Sequence, residues 1–287
     1  MLKKENGKRR AKRNACRWIA ALFVLCLLFA PLGCGDAQSP AGTPAPGTEE
    51  PREAQEEAPA KDTAYQHAQV PVLYYHSVRI EAGNELCMPP AQLEEQMKFL
   101  ADNHYQGITL DELYDGLYGT GGLPAKPVVI TFDDGYQDNY QNAWPVLQKY
   151  GYTATVFIIT DYIGEQGYLS APELKALQEN GWRLEGHSAT HPYLTEATAA
   201  ALEEELAGSK AVLEAQLDRP VKFFAYPFGV FDERVAQAVK DSGYTMAVTT
   251  ERGWAHRDED PMRVKRVYCY ADMGIAEFER RLTDPAY

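Results

Sequence analysis

This 287-residue sequence predicts a parallel α/β architecture, closed or nearly closed into a barrel. Two observations carry that expectation. From about residue 70 onward, short β-branched or aromatic runs alternate with amphipathic helical stretches, the pattern of strands joined by helical crossovers. The residues richest in chemistry, His76, Asp133, Asp134, His187 and Phe228, all follow the ends of such runs. In barrels, catalytic groups collect at that face.

The elements read in order as follows. Residues 70–75 (Val-Pro-Val-Leu-Tyr-Tyr) form a first buried strand that ends in His76-Ser77. A helix over 89–103 places Leu93, Met97 and Leu100 on one face, at spacings of four and three. Residues 127–132 (Pro-Val-Val-Ile-Thr-Phe) are the clearest strand, a β-branched run of the kind buried on both faces. Asp138 or Asn139 can cap a helix that runs to Lys149. Next come a strand over 152–160, a helix over 171–180 stopped by Gly181, and a strand over 182–186 that leads into a histidine pair. A long amphipathic helix over 198–217, a strand over 221–226 and a helix over 231–242 follow. Strands over 245–249 and 264–270 and a closing helix near 275–282 complete the series.

The first 64 residues read differently. Met1 to Arg17 holds eight of the 28 Lys and Arg and one of the 41 Asp and Glu, and an apolar run of 15 residues follows, from Trp18 to Leu32. That run suits a secretory signal core better than a bilayer-spanning helix, which needs about 20 residues. Pro31-Leu32-Gly33-Cys34 resembles the lipobox of bacterial lipoproteins, although Leu is expected where Pro31 stands; an uncleaved or differently cleaved anchor is the alternative. Either way the expected location is outside the cytoplasm, anchored to the membrane or secreted. Residues 35–64 contain five prolines and no Val, Ile, Leu, Met, Phe, Trp or Tyr, so they cannot bury enough apolar surface to fold. The expected organisation is a signal or lipoprotein segment at 1–34, a disordered tether at 35–64 and one catalytic domain at 65–287. Beyond the leader remain 20 basic and 40 acidic residues, a net charge of −20. That surface excludes nucleic acid as a natural partner. Cys87 and Cys269 are the only cysteines in the folding part, either bonded to each other or separately buried.

The chemistry gathers in three segments. Thr131-Phe132-Asp133-Asp134-Gly135 puts two adjacent carboxylates after a strand, which is unfavourable unless a cation offsets their repulsion. Adjacent residues leaving a strand point to different sides, so one can ligate while its neighbour faces substrate. His187-Ser188-Ala189-Thr190-His191 adds two imidazoles four residues apart. One carboxylate with two histidines makes a three-ligand site with an open position, suited to zinc and also to cobalt, nickel or manganese. The other carboxylate is left as a base, the equipment of metal-assisted hydrolysis. In Tyr226-Pro227-Phe228-Gly229, the amide of Phe228 is placed to face an oxyanion, although an aromatic core strand ending in a turn is the plainer alternative.

These segments resemble the polysaccharide deacetylases with the NodB homology domain, carbohydrate esterase family 4. Thr131 to Gly135 matches the family's first motif and His187 to His191 its second, His-Ser/Thr-x-x-His, while Tyr226 to Gly229 resembles part of its third. The resemblance covers roughly residues 70–270. It implies a distorted (β/α) barrel of about seven strands, metal ligands Asp134, His187 and His191, and Asp133 as general base. The implied reaction removes acetyl groups from carbohydrate, usually from N-acetylglucosamine units. Two departures matter. Most relatives carry an arginine where Ala225 stands, and Arg266 is the candidate replacement. Most also end in a Leu-x-His motif that supplies the general acid, whereas no histidine follows His256 here. His76 looks like the N-terminal replacement found in a rearranged branch that deacetylates poly-N-acetylglucosamine. An O-acetyl esterase, or a glycan-binding lipoprotein with a decayed site, are the rival readings. Tyr136, Tyr140 and Trp254 are candidates for stacking on sugar rings, or for simple packing.

Overall fold

Seven of the expected strands close into a single ring of parallel strands. In the computed structural model, which describes residues 69–287, they are β1 (Val72–Tyr75), β2 (Pro127–Phe132), β3 (Thr155–Ile158), β4 (Arg183–Gly186), β5 (Phe223–Ala225), β6 (Met246–Arg252) and β7 (Val264–Tyr268). Neighbours in sequence are neighbours in the sheet, and the ring closes where Val267 of β7 pairs with Leu73 of β1, which also pairs with Ile130 of β2. The expectations for the apolar run, for Cys34 and for the 35–64 segment lie outside the described residues.

Period-2 alternation sorts the strand residues into two sets. Val72, Val129, Phe157, Phe223, Ala225, Met246, Val248 and Val264 form one buried cluster, the filling of the barrel. Leu73, Ile130, Phe132, Val156, Leu184, Phe224, Ala247 and Val267 belong to a second cluster with Leu93, Met97, Leu147, Leu174 and Leu177 of the surrounding helices. The β2 run is therefore apolar throughout because both of its faces are covered.

Four helices keep close to their expected bounds. These are α1 (Pro90–Asp102), α4 (Ala171–Glu179), α7 (Glu233–Asp241) and α8 (Ile275–Thr283). A further helix, α2 (Leu110–Tyr118), is not among the expected elements, although its start is written in the chain. Thr109 accepts from the N–H of Glu112 while the Glu112 carboxylate accepts from the N–H of Thr109, a capping box. Leu110, Leu113 and Leu117 then join the barrel-filling cluster.

Two expected helices are interrupted by π-turns. Residues Asn139–Ala143 are a π-turn leading into α3 (Trp144–Lys149), and Glu204–Gly208 is one lying between α5 (Ala199–Glu203) and α6 (Ser209–Leu217). The expected cap at Asp138 is a correction, because its carboxylate makes no capping bond. It accepts instead from the N–H of Val78 at 2.8 Å and from the Ser77 hydroxyl. Cys87 and Cys269 are both buried and both free.

One polar group sits beneath the strand ends without a full set of partners. Glu185 of β4 is fully buried; one oxygen accepts from the N–H groups of Lys222 and Phe223, and the other has no hydrogen bond. Burial pushes its carboxyl up to about 7, against those two amides and the charge of Arg183. A carboxyl raised above its unfolded value stabilises the fold fully below about pH 4.5, and that contribution is lost as pH rises through 7. Urea denaturation of the protein is therefore expected to show stability declining over this window, with the decline reduced in Glu185→Gln. An equal slope in both proteins would exclude Glu185 as its source.

Candidate active site

The adjacent carboxylates leave β2 in opposite directions because the backbone turns between them. Asp133 continues the strand, its N–H donating to Tyr75 O at 2.9 Å, whereas Asp134 and Gly135 take positive φ of 74° and 76°. At Gly135 a Cβ would stand 3.1 Å from Ile158 Cδ1, so a side chain there would be both strained and crowded.

Asp133, only 3% exposed, points into the barrel and is gripped by Arg266 of β7. The guanidinium donates through both terminal nitrogens, to Oδ1 at 2.9 Å and Oδ2 at 2.7 Å. Arg266 is itself fully buried, is anchored by Thr249 O and Thr131 Oγ1, and lies 4.2 Å over the Tyr74 ring. The strand pairing slips between Val264 and Arg266, a bulge of the kind found beside active sites. Burial alone would push the Asp133 carboxyl up. The charge and hydrogen bonds of Arg266 outweigh burial and hold it below the ordinary carboxylate range. Arg266 thus stands where the sequence reading wanted a replacement for the arginine absent at Ala225.

Asp134 turns the other way, toward the histidines. Its Oδ1 lies 3.3 Å from His187 Nε2 and 3.5 Å from His191 Nε2, and one donor atom from each of the three residues lies within 4.8 Å of the others. The His187 Nδ1 sits 2.7 Å from Ala225 O. A carbonyl can only accept, so Nδ1 carries a proton, and in the neutral ring Nε2 is left with its lone pair, the tautomer a metal ligand needs. His191 is turned inward by a positive φ of 60°, with Ser188 at 64°, and its N–H donates to Ser188 Oγ. Glu205, from the second π-turn, fastens this loop by accepting from the N–H groups of Ala189 and Thr190 and from the Thr190 hydroxyl. Burial and the neighbouring His187 lower His191 to about 4, keeping it neutral at working pH. The donor set and its tautomer fit a divalent ion.

His76 follows β1 as Asp133 follows β2, because Tyr75 pairs with Phe132. Burial lowers its pKa, while the charges of Asp133 and Asp134 pull the other way. Phe228 has a left-handed backbone (φ 59°), and Gly229 behind it is obligatory, since a Cβ would stand 1.9 Å from Thr250 Oγ1. The two turn bonds here use the N–H groups of Gly229 and Val230, and neither uses that of Phe228. The half-exposed Phe228 ring stands 4.4 Å from the His191 ring and stacks at 4.3 Å on Tyr193. Of the seven non-glycine residues with positive φ among the described residues, Asp134, Ser188, His191 and Phe228 are in this site. Strain of this kind persists only where surrounding structure over-determines it, and it clusters at functional sites.

The other aromatic candidates divide. Tyr140 packs on Trp144, and the Trp254 indole donates to Arg281 O, so both are structural. Tyr136 stacks on Tyr168 at the rim. Glu205 and Tyr193 were missed by sequence reading; Glu205 acts across 15 residues on backbone groups and leaves no local pattern.

Comparison with known proteins shows the family of the chain. Residues 120–247 match the family model described as polysaccharide deacetylase. YxkH of Bacillus subtilis (strain 168), whose name places it among polysaccharide deacetylases, is 35% identical over 271 residues, covering 91% of this chain and 96% of its own. The poly-β-1,6-N-acetyl-D-glucosamine N-deacetylase of Staphylococcus aureus (strain MSSA476) is 30% identical over 197 residues, covering 62% of this chain and 66% of that one. The polysaccharide deacetylase BC0361 of Bacillus cereus superposes with a TM-score of 0.69 at 34% identity, over 76% of this chain and 70% of that one. With YxkH matched over nearly its whole length, the chain belongs to the polysaccharide deacetylase family and is a hydrolytic deacetylase.

Proposed function

We propose that this protein works outside the cytoplasm and removes N-acetyl groups from an N-acetylglucosamine-containing polysaccharide, with a divalent ion held by Asp134, His187 and His191. The observation that carries the reading is the division of labour between adjacent carboxylates: Asp133 is ionised by Arg266 and kept apart from the cluster that Asp134 completes. The named activity of the Staphylococcus aureus relative supports the substrate class. Zinc suits the donor set best, and cobalt, nickel or manganese would satisfy it too.

When bound, the ion supplies Lewis-acid chemistry, polarising the acetyl carbonyl and acidifying water. Asp133, ionised and immobile, accepts the proton of the water whose oxygen bonds to the acetyl carbon. The N–H of Phe228 faces the oxygen that gains charge. His76 donates a proton to the nitrogen as the carbon–nitrogen bond breaks, so that acetate and a neutral amine result. Arg266 touches neither product; it keeps Asp133 ionised.

Acetate release from N-acetylglucosamine oligomers and from O-acetylated xylan oligomers tests the reading. The first substrate is expected to react, with His76→Ala slower by about 10²–10⁴-fold because an amine leaves poorly unprotonated. Release from the xylan alone, indifferent to His76→Ala, would make the protein an esterase.

The exposed Tyr193–Phe228 pair beside His191 is suited to stack on a sugar ring adjoining the reacting one. Tyr193→Ala is expected to raise KM for N-acetylglucosamine oligomers by about three- to tenfold with kcat little changed. An unchanged KM would remove Tyr193 from substrate binding.

A further inference from the structure

Two buried polar atoms at the edge of the site lack a partner within the protein, and they belong to residues already in contact. One is Nδ1 of His76; the other is Oδ1 of Asn139. The Asn139 amide nitrogen donates to His76 O at 2.8 Å and lies 3.4 Å from Asp138 Oδ1. Both of those neighbours are acceptors, so a flipped amide would set oxygen against oxygen, and the orientation is fixed. Oδ1 therefore faces away from them with two free lone pairs in a place sealed from solvent. An imidazole Nδ1–H is the complementary group, and it is the other unpaired atom of the same pair of residues. A buried acceptor and a buried donor left unpaired are each unfavourable, and joining them removes both penalties.

The surrounding structure holds Asn139 against the backbone of His76. Asp138 accepts from Val78 N–H and the Ser77 hydroxyl, and Asn142 donates to Val78 O at 2.7 Å. Residues 138, 139 and 142 thus clamp the segment that carries His76, and the π-turn over Asn139–Ala143 lies at the contact. Single π-turns inside α-helices occur often at functional sites.

We propose that Asn139 is a positioning residue for the acid: its Oδ1 accepts the Nδ1 proton of His76, directly or through one buried water, so that Nε2 is the nitrogen turned to the departing amine. With Nδ1 always protonated, the neutral ring can take up and deliver a proton only at Nε2, and the ring cannot rotate away without breaking the bond. The inference rests on His76 being the acid, and the experiment separates the two claims.

Two measurements on the full-length, zinc-loaded protein decide it. Nitrogen-15 NMR of the imidazoles, assigned with His76→Ala, reads the tautomer of His76 without substrate. The wild type is expected to show the Nδ1–H form. Asn139→Ala is expected to lose it, and Asn142→Ala to keep it although it too removes a clamp bond. The second measurement compares an N-acetylglucosamine oligomer with an aryl acetate whose leaving group needs no proton. Asn139→Ala is expected to slow the amide reaction by about tenfold or more while leaving the ester within about twofold, and Asn142→Ala to leave both within about twofold. A wild-type Nε2–H tautomer, or equal slowing of both substrates, would overturn the inference. Should the Nδ1–H form respond to Asn139→Ala while His76→Ala leaves amide hydrolysis untouched, the positioning bond stands and the acid assignment of His76 fails.

Discussion

Asp133→Asn is expected to slow acetate release by about 10²–10⁴-fold while the protein still binds its metal. The reasoning is geometric. Asp133 turns into the barrel toward Arg266, and the three donor atoms converge on the other side of the turn at Asp134 and Gly135. Replacing the base therefore leaves Asp134, His187 and His191 as they are. The variant also strips a fully buried guanidinium of its counter-charge, so it should be less stable, by something under the roughly 3–5 kcal/mol of a broken buried pair, since the asparagine oxygen still accepts one bond. Metal content by elemental analysis, together with the rate, checks both halves. Retained turnover would remove Asp133 from the base role, and lost metal would mean that the two carboxylates share the ion.

Arg266→Met should have the larger effect on stability. Methionine fills much of the same volume but leaves Asp133 buried without a cation, and breaking such a pair is unfavourable by about 3–5 kcal/mol. It also reverses the sign of a pH effect. In the wild type the Asp133 carboxyl is held below its ordinary range, so its stabilisation is present above the unfolded value near pH 4 and lost as pH falls through the folded value. Without Arg266, burial is opposed only by the charges of His187 and His76, so the carboxyl moves up. The base is then protonated up to a higher pH than in the wild type, and the acid limb of the pH–rate profile moves to higher pH. Denaturation at several pH values and a rate profile measure the two consequences. The double replacement Asp133→Leu with Arg266→Met is expected to regain much of the stability and none of the activity, because a buried pair can be exchanged for apolar groups more cheaply than it can be halved.

The sequence exposed the parts of this site that carry local patterns. The β2 run announces itself through β-branched residues with both faces covered, and the two motifs follow strand ends at which a barrel gathers its chemistry. Arg266 was legible only as a candidate charge within the strand run Val264-Lys265-Arg266-Val267, through the arginine missing at Ala225. That it reaches Asp133 depends on a barrel closing β7 onto β1, a long-range fact. The capping box at Thr109 and Glu112 was readable and was passed over. The π-turns were not readable: a helical pattern over 198–217 does not disclose that Glu205 swings toward Ala189 and Thr190, nor does Asp138 ahead of a helix disclose that its carboxylate serves Val78 rather than the cap. Each bond joins backbone groups to a side chain many residues away, where periodicity has nothing to say. The same holds for His187, whose tautomer is set by a carbonyl of a neighbouring strand.

The most direct test of the account is acetate release from β-1,6-linked N-acetylglucosamine oligomers by the protein stripped with a chelator and then titrated with zinc. The account predicts no release from the stripped protein and full return at one ion per chain, with His187→Ala failing to recover at that stoichiometry. A stripped, metal-free protein that releases acetate at the original rate would contradict it.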